Sequence, residues 1–234
     1  MEREVTSLET LIQHRVDGIL FNGMGIYDPR FARVAEAGIP LVYVGRRMAQ
    51  LPCDNVTLDN QAGAYQAVSH LIATGARHIG FIFGFHESVS ATEDRFAGYQ
   101  EALREHGIPY DDRLIVRMES ARDDGGREAA ARLLEQAPEL DSIFASNDLM
   151  ALGCLEQLRQ SGVRVPDEIS VMGCDGILYG RLMTPSLSTM VSPLREMAKR
   201  SVELLVQRIE KPPTVEKEVV FQPAMFLGGS TRPV

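Results

Sequence analysis

A strand–helix–strand rhythm constrains this chain more than any other feature, and it is plainest at residues 141–192. Two short apolar runs, 142–145 and 169–173, each lead into a polar residue, Asn147 and Asp175, and a helical pattern over 149–160 lies between them. Short apolar runs bounded by turn signals read as fully buried strands. A helical crossover between two such strands makes them parallel neighbours. In an open parallel sheet, ligands sit in the crevice beyond the carboxyl ends of the strands. The stretch therefore predicts a sheet that aims polar groups at a ligand.

The same alternation runs through the rest of the chain. Val5, Leu8, Leu11 and Ile12 recur at helical spacing, followed by a strand at 16–22, a helix at 29–37 closed by Gly38, and a strand at 40–44. An extended piece at 55–58 leads to Asp59, a suitable N-cap for a helix at 61–73, and 78–84 is an apolar strand. Further on come a helix at 92–105, a strand at 114–118, a helix at 125–135, and a long helix at 193–209 with Pro193 in its first turn. Short strands at 218–221 and 224–227 close the pattern. Strands alternating with helices throughout indicate an α/β protein with parallel sheets. Two sheets are expected, with a crossing near 85–89. Because the chain opens on a helix where an α/β lobe normally opens on a strand, the N-terminal lobe is expected to be incomplete. An open sheet edge is a pairing hazard, so reduced stability or compensating oligomerisation is expected too.

Composition narrows the function classes. At 234 residues the chain holds one large domain or two small ones, and 44% hydrophobic with 24% charged residues is ordinary for a globular protein. A formal net charge of −8 and the lack of a long basic cluster argue against a nucleic-acid-binding surface. The three cysteines, Cys53, Cys154 and Cys174, are odd in number and show no CxxC spacing, which fits a reducing compartment. There is no apolar signal-peptide core, and no apolar run approaches the ~18 residues of a membrane span. A cytoplasmic protein is expected, with no membrane partner.

Most chemical motifs fail on spacing. Gly23-Met24-Gly25 follows a strand, but the next glycine of a dinucleotide fingerprint would fall on Asp28. The histidines, His14, His70, His78, His86 and His106, form no paired metal-ligand spacing, and only His86, near the lobe crossing, stands to face a cleft. No GxSxG elbow occurs, and none of Asp59, Asp148 and Asp175 is marked locally as an unusual acid. Asp148 reads as a helix-start charge. No cofactor, no metal and no enzymatic activity are expected. Three residues do carry a binding reading: Arg95, early in its helix, and Asn147 and Asp175 beyond two strands. They offer a planar donor fork, an amide that both donates and accepts, and a carboxylate acceptor, which suits a polyhydroxylated small molecule. The competing readings are a helix N-cap for Asn147 and a turn residue for Asp175, and residue type alone favours those.

The wording of the chain resembles the effector-binding core of the lactose-repressor (LacI/GalR) family of bacterial transcription regulators. The resemblance rests on RVDGILFNG (15–23), GIPLVYVGR (38–46), VTLDNQAGAYQAVSHLIATGARHIGFI (56–82), DRFAGYQEAL (94–103), SIFASNDLMALGCLEQLRQSGVRVPDEISVMGCDG (142–176) and TPSLSTMVSPLREMAKRSVELL (184–205). It implies a type I periplasmic-binding-protein fold: two parallel-sheet lobes joined by three crossovers, with a small-molecule effector, sugar or nucleoside-like, in the cleft. The lobes would comprise 1–86 with 193–221 and 87–192 with 222–234. By the same resemblance Arg95, Asn147 and Asp175 match effector-binding positions, which tips all three toward the functional reading. The sequence departs from the family pattern at Gly176, Gly45 and Ala121, where a second aspartate, another aspartate and an aromatic are usual. A homodimer is implied. Operator DNA would be reached only through a helix-turn-helix headpiece that has no counterpart in these residues. A periplasmic-type solute-binding protein is the rival reading.

Overall fold

The structure, a computed structural model, describes residues 2–23, 27–48, 50–84, 90–211 and 215–234. His86, the segment 85–89, Met24 and Gly25 therefore lie outside the described residues. In chain order the elements begin with α1 (Glu2–Gln13), β1 (Ile19–Phe21), α2 (Ala32–Glu36), β2 (Leu41–Gly45), β3 (Asp54–Leu58), α3 (Asn60–Ala73) and β4 (Ile79–Gly84). Next come α4 (Ser90–Glu105), β5 (Ile115–Met118), α5 (Asp123–Gln136), β6 (Ser142–Ala145), α6 (Asp148–Gln160) and β7 (Ser170–Asp175). The last are α7 (Leu178–Leu182), β8 (Ser188–Val191), α8 (Leu194–Glu210), β9 (Glu218–Phe221) and β10 (Ala224–Phe226). Single 3-10 turns precede α2 and β5.

The chain divides into two compact units. One comprises Met1–Asp59 and Pro193–Phe221, the other Asn60–Ser192 and Gln222–Val234, so the backbone passes from one to the other three times. The first crossing lies at Asp59/Asn60, which corrects the boundary expected at 86/87. The helix α3 and the strand β4 belong to the second unit because α3 packs along α4. A side chain on Gly98 of α4 would collide with the carbonyl oxygen of Gln61 in α3, so the two helices lie backbone to backbone.

The first unit is a four-stranded parallel sheet in the order β1-β2-β3-β9. One face buries Ile19, Leu41 and Tyr43 against Val5 and Leu8 of α1 and against Phe31 and Val34. Phe21 meets Phe31 and Tyr43 edge-on, at 5.8 and 5.5 Å between ring centroids. On the other face Val42, Val56 and Leu58 pack on Met197 and Leu204 of α8. A buried ion pair ties this face to the strands: Arg208 of α8 donates from Nε to Asp54 Oδ2 at 2.7 Å and from a terminal nitrogen to Oδ1 at 2.5 Å. The backbone N–H of Lys217 adds a third bond to Oδ1 at 2.6 Å. β1 stands at the sheet edge, with Leu20 43% exposed.

The second unit is a six-stranded sheet in the order β10-β8-β7-β6-β4-β5, parallel except for β10, which runs antiparallel to β8. Successive strand residues point to opposite faces. Ile79, Phe81, Phe83, Phe144, Met172 and Cys174 accordingly meet Val68, Leu71 and Tyr99 of α3 and α4. Their neighbours Ile82, Ile143, Ala145 and Val171 meet Leu133, Met150 and Cys154 of α5 and α6. With both faces covered, the strands read as continuous apolar runs. Sequence reading located nearly every element but missed β8 and α7. It also placed Pro193 in the first helical turn, where the structure has it as the N-cap of α8.

Candidate functional site

The second unit brings Arg95, Asn147 and Asp175 to the carboxyl ends of β4, β6 and β7, with Ser146 and the start of α3. At β4 the backbone N–H of Gly84 donates to Ser146 Oγ at 3.0 Å, which fixes the turn that leaves β6. Arg95 reaches this turn from α4. Gly98, one helical turn on, lets α4 press onto α3, and the buried Tyr99 hydroxyl donates to the Ile79 carbonyl at 2.8 Å. The spacing Arg95-Phe96-Ala97-Gly98-Tyr99 thus has a packing cause.

The guanidinium is 11% exposed and makes three directed contacts. Its Nε donates to Asn60 Oδ1 at 2.9 Å, one terminal nitrogen donates to the Ser146 carbonyl, and the other lies 3.4 Å from Asp175 Oδ1. The first two orient the fork. The third is long and weak by hydrogen-bond standards. Asp175 therefore faces a fixed cation without being saturated by it.

Asp175 ends β7 with φ +134°, in a region that non-glycine residues rarely occupy, and Gly176 follows with φ +81°. Strain of this kind costs about 1–3 kcal/mol and persists only where the surroundings impose it. Withdrawal from water pushes the Asp175 carboxyl up to about 6, Asp148 adds to the rise, and Arg95 opposes it. Yet 40% of the side-chain surface stays open, so solvent still reaches the group.

Asn147 is the N-cap of α6. Its Oδ1 accepts from Met150 N at 2.8 Å and its Nδ2 donates to the Ala121 carbonyl at 3.0 Å. The local reading of this residue is thus what the geometry displays, and the amide retains only one N–H and one lone pair for anything else. The structure brings all three residues named from the sequence into one strand-end cluster, with Asn147 committed to the α6 cap and the Ala121 carbonyl.

Asp148, read from the sequence as a helix-start charge, is fully buried. Its Oδ2 accepts from the N–H groups of Gly176 and Ile177, both at 2.8 Å, and its Oδ1 accepts from Thr189 Oγ1 at 2.6 Å. Burial pushes its carboxyl above the ordinary range, against the pull of these bonds. Sequence reading also missed Asn60, Ser146 and Thr189. Asn60 and Ser146 carried a signal, as polar residues just after strands, and there Asp59 and Asn147 were preferred. Among the described residues no group of His, Cys, Asp and Glu side chains could hold a metal ion, and no helix is long and apolar enough to cross a membrane.

Comparison with known proteins places the fold and the family. The domain family described as periplasmic binding protein-like matches residues 68–231. The helix-turn-helix-type transcriptional regulator GalR of Salmonella typhimurium is 34% identical over 224 residues, which are 96% of this chain and 65% of that regulator's length. The solved complex of the transcriptional regulator CelR with cellobiose is 33% identical, with a TM-score of 0.89 over 98% of this chain and 70% of that one. A LacI family transcriptional regulator from Enterococcus faecium, solved with bound ribose, is 25% identical, with a TM-score of 0.89 over 99% and 85% of the two chains. The chain belongs to the LacI/GalR family of transcriptional regulators, through their periplasmic binding protein-like domain. The resemblance drawn from the sequence motifs is borne out for family and for fold.

Proposed function

We propose that this chain is the effector-sensing part of a LacI-type transcriptional regulator. It binds a small polar molecule, a sugar, at the carboxyl ends of β4, β6 and β7, and performs no catalysis on it. The observation that carries this reading is the Arg95–Asp175 arrangement: a guanidinium oriented by Asn60 and Ser146 beside a carboxylate left 40% open. A sugar hydroxyl both donates and accepts, so it bridges such a pair, donating to Asp175 while accepting from Arg95. Relatives solved with cellobiose and with ribose support the sugar class. That these relatives are transcription regulators favours this reading over a solute-binding protein of the periplasmic type.

The effector acts by binding one conformation of the regulator more tightly than another, since a ligand of equal affinity for both shifts nothing. Operator DNA is contacted through a headpiece outside this chain, and the protein works in the cytoplasm as a homodimer. The exposed apolar side chains Tyr179 and Leu182, at 70% and 71%, supply a surface for the second copy. A thermal-shift screen with ribose, galactose and cellobiose tests the site. A sugar that stabilises the protein should lose that effect in Arg95→Ala and in Asp175→Ala, with binding weakened by about 10- to 100-fold, the worth of a hydrogen bond to a charged group. An unchanged response in both variants overturns the assignment.

A further inference from the structure

We infer that Asp148 is a positioning residue for the effector site, locking the turn after β7 so that the Asp175 carboxylate is presented outward. The contact is made by the side chain of the first helical residue on the backbone of the turn. The Asp148 side chain accepts from the backbone N–H groups of Gly176 and Ile177, the two residues that follow Asp175. The start of α6 thus holds the backbone that leaves β7.

The surroundings are built for a carboxylate at this position. Thr189 of β8 donates to the remaining oxygen, and a side chain on Gly173 of β7 would collide with that same oxygen. Three donors therefore satisfy one fully buried acid that touches no solvent. Burying a carboxylate is costly unless its oxygens are satisfied. What the arrangement secures is the positive φ of Asp175, a conformation that a non-glycine residue rarely adopts unaided. The charged groups facing Asp175 are Arg95 from α4 and Asp148 from α6.

The inference rests on the proposed function only for what Asp175 is presented to; the lock itself is measurable in the unliganded chain. The experiment is a carbon-detected titration of the Asp175 carboxyl with amide exchange at Gly176 and Ile177, in wild type, Asp148→Asn, Thr189→Val and Ile177→Pro. In Asp148→Asn the two N–H donors meet either an amide nitrogen or, with the amide turned over, an uncharged oxygen that accepts more weakly than a carboxylate. The exchange of both amides should then accelerate by about tenfold or more as the turn opens, and Asp175 should titrate lower, toward an ordinary carboxylate. Thr189→Val loses a bond to the other oxygen, so the melting temperature should fall while the Asp175 titration and the two amides hold. Ile177 has φ −68°, which proline adopts without strain, so Ile177→Pro deletes one of the two backbone donors to Asp148 and weakens the hold on the turn. It should free the Gly176 amide even if Asp148→Asn fails to fold. Unchanged Asp175 titration in a folded Asp148→Asn, or an unchanged Gly176 amide in Ile177→Pro, overturns the inference. A sugar screen without hits would instead count against the effector reading and leave the lock standing.

Discussion

Two guanidinium–carboxylate pairs, one in each unit, are built from the same chemistry and do opposite things. Arg208 grips Asp54 through two nitrogens at 2.7 and 2.5 Å, Lys217 N adds a third bond, and the carboxylate is closed to water. Arg95 touches Asp175 through one nitrogen at 3.4 Å, turns its other donors to Asn60 and Ser146, and leaves the carboxylate partly open. The acids respond in opposite directions. Burial alone would raise Asp54, but the Arg208 bonds outweigh it and hold the group below the usual carboxylate range. At Asp175 burial wins, and the group rises to about 6. Saturation separates a joint from a site: a carboxylate whose acceptor sites are filled holds the fold, and one left partly unfilled is available to a ligand.

The sharpest way to break this contrast is to remove each acid in turn. Asp54→Ala strands a nearly buried Arg208, and losing one partner of such a pair costs about 3–5 kcal/mol in urea unfolding. Asp175→Ala should cost less than about 1 kcal/mol, as for residues outside the packed core. Equal losses would erase the distinction. The pH dependence refines it through its sign. Asp54, depressed in the folded state, contributes stability above its unfolded value of about 4 that is lost as pH falls through the folded one. Asp175, raised, contributes stability that is fully present below about 4 and is lost as pH rises toward about 6. Unfolding at several pH values should therefore show the gap between wild type and Asp54→Asn widening with pH, and the gap to Asp175→Asn moving the other way. The smallest effect belongs to Asn147→Ala. Loss of the α6 cap should cost about 1 kcal/mol, with a loosened turn at Ala121, read by the melting temperature without ligand.

The α/β class and most elements were legible because each buried strand is a run of apolar residues and each helix carries its own end signals. Strands β6 and β9 fall where the sequence put them. Strand β8 did not announce itself because its Ser188 and Thr189 are polar. They are buried only because Ser188 bonds to Ser230 and Thr231, and Thr189 to Asp148, partners about 40 residues away. The crossing at Asp59/Asn60 was hidden for a similar reason, since α3 finds its partner through Gly98 of a later helix. Arg95 and Asp175 were recognisable as a donor and an acceptor, and the family resemblance assigned them a purpose. The role of Asp148 was not legible, because neither burial nor a backbone donor from a distant turn leaves a trace in residue type.

The three passages of the chain between units also set an order of events during synthesis. Strand β3 pairs with β9, Val56 opposite Val219, so a strand made early waits for one made much later. At a ribosomal rate of about 5–20 residues per second, that interval is roughly 8–30 s. Throughout it the nascent Asp54 lacks both Arg208 and Lys217, and the β3 edge stands open beside every other chain on the same message. The second unit is interrupted only near its finish, and it is nearly complete before the first can close. The unit that carries the Arg95–Asp175 cluster is therefore assembled before the unit that waits, and chaperone demand should fall mainly on the smaller unit.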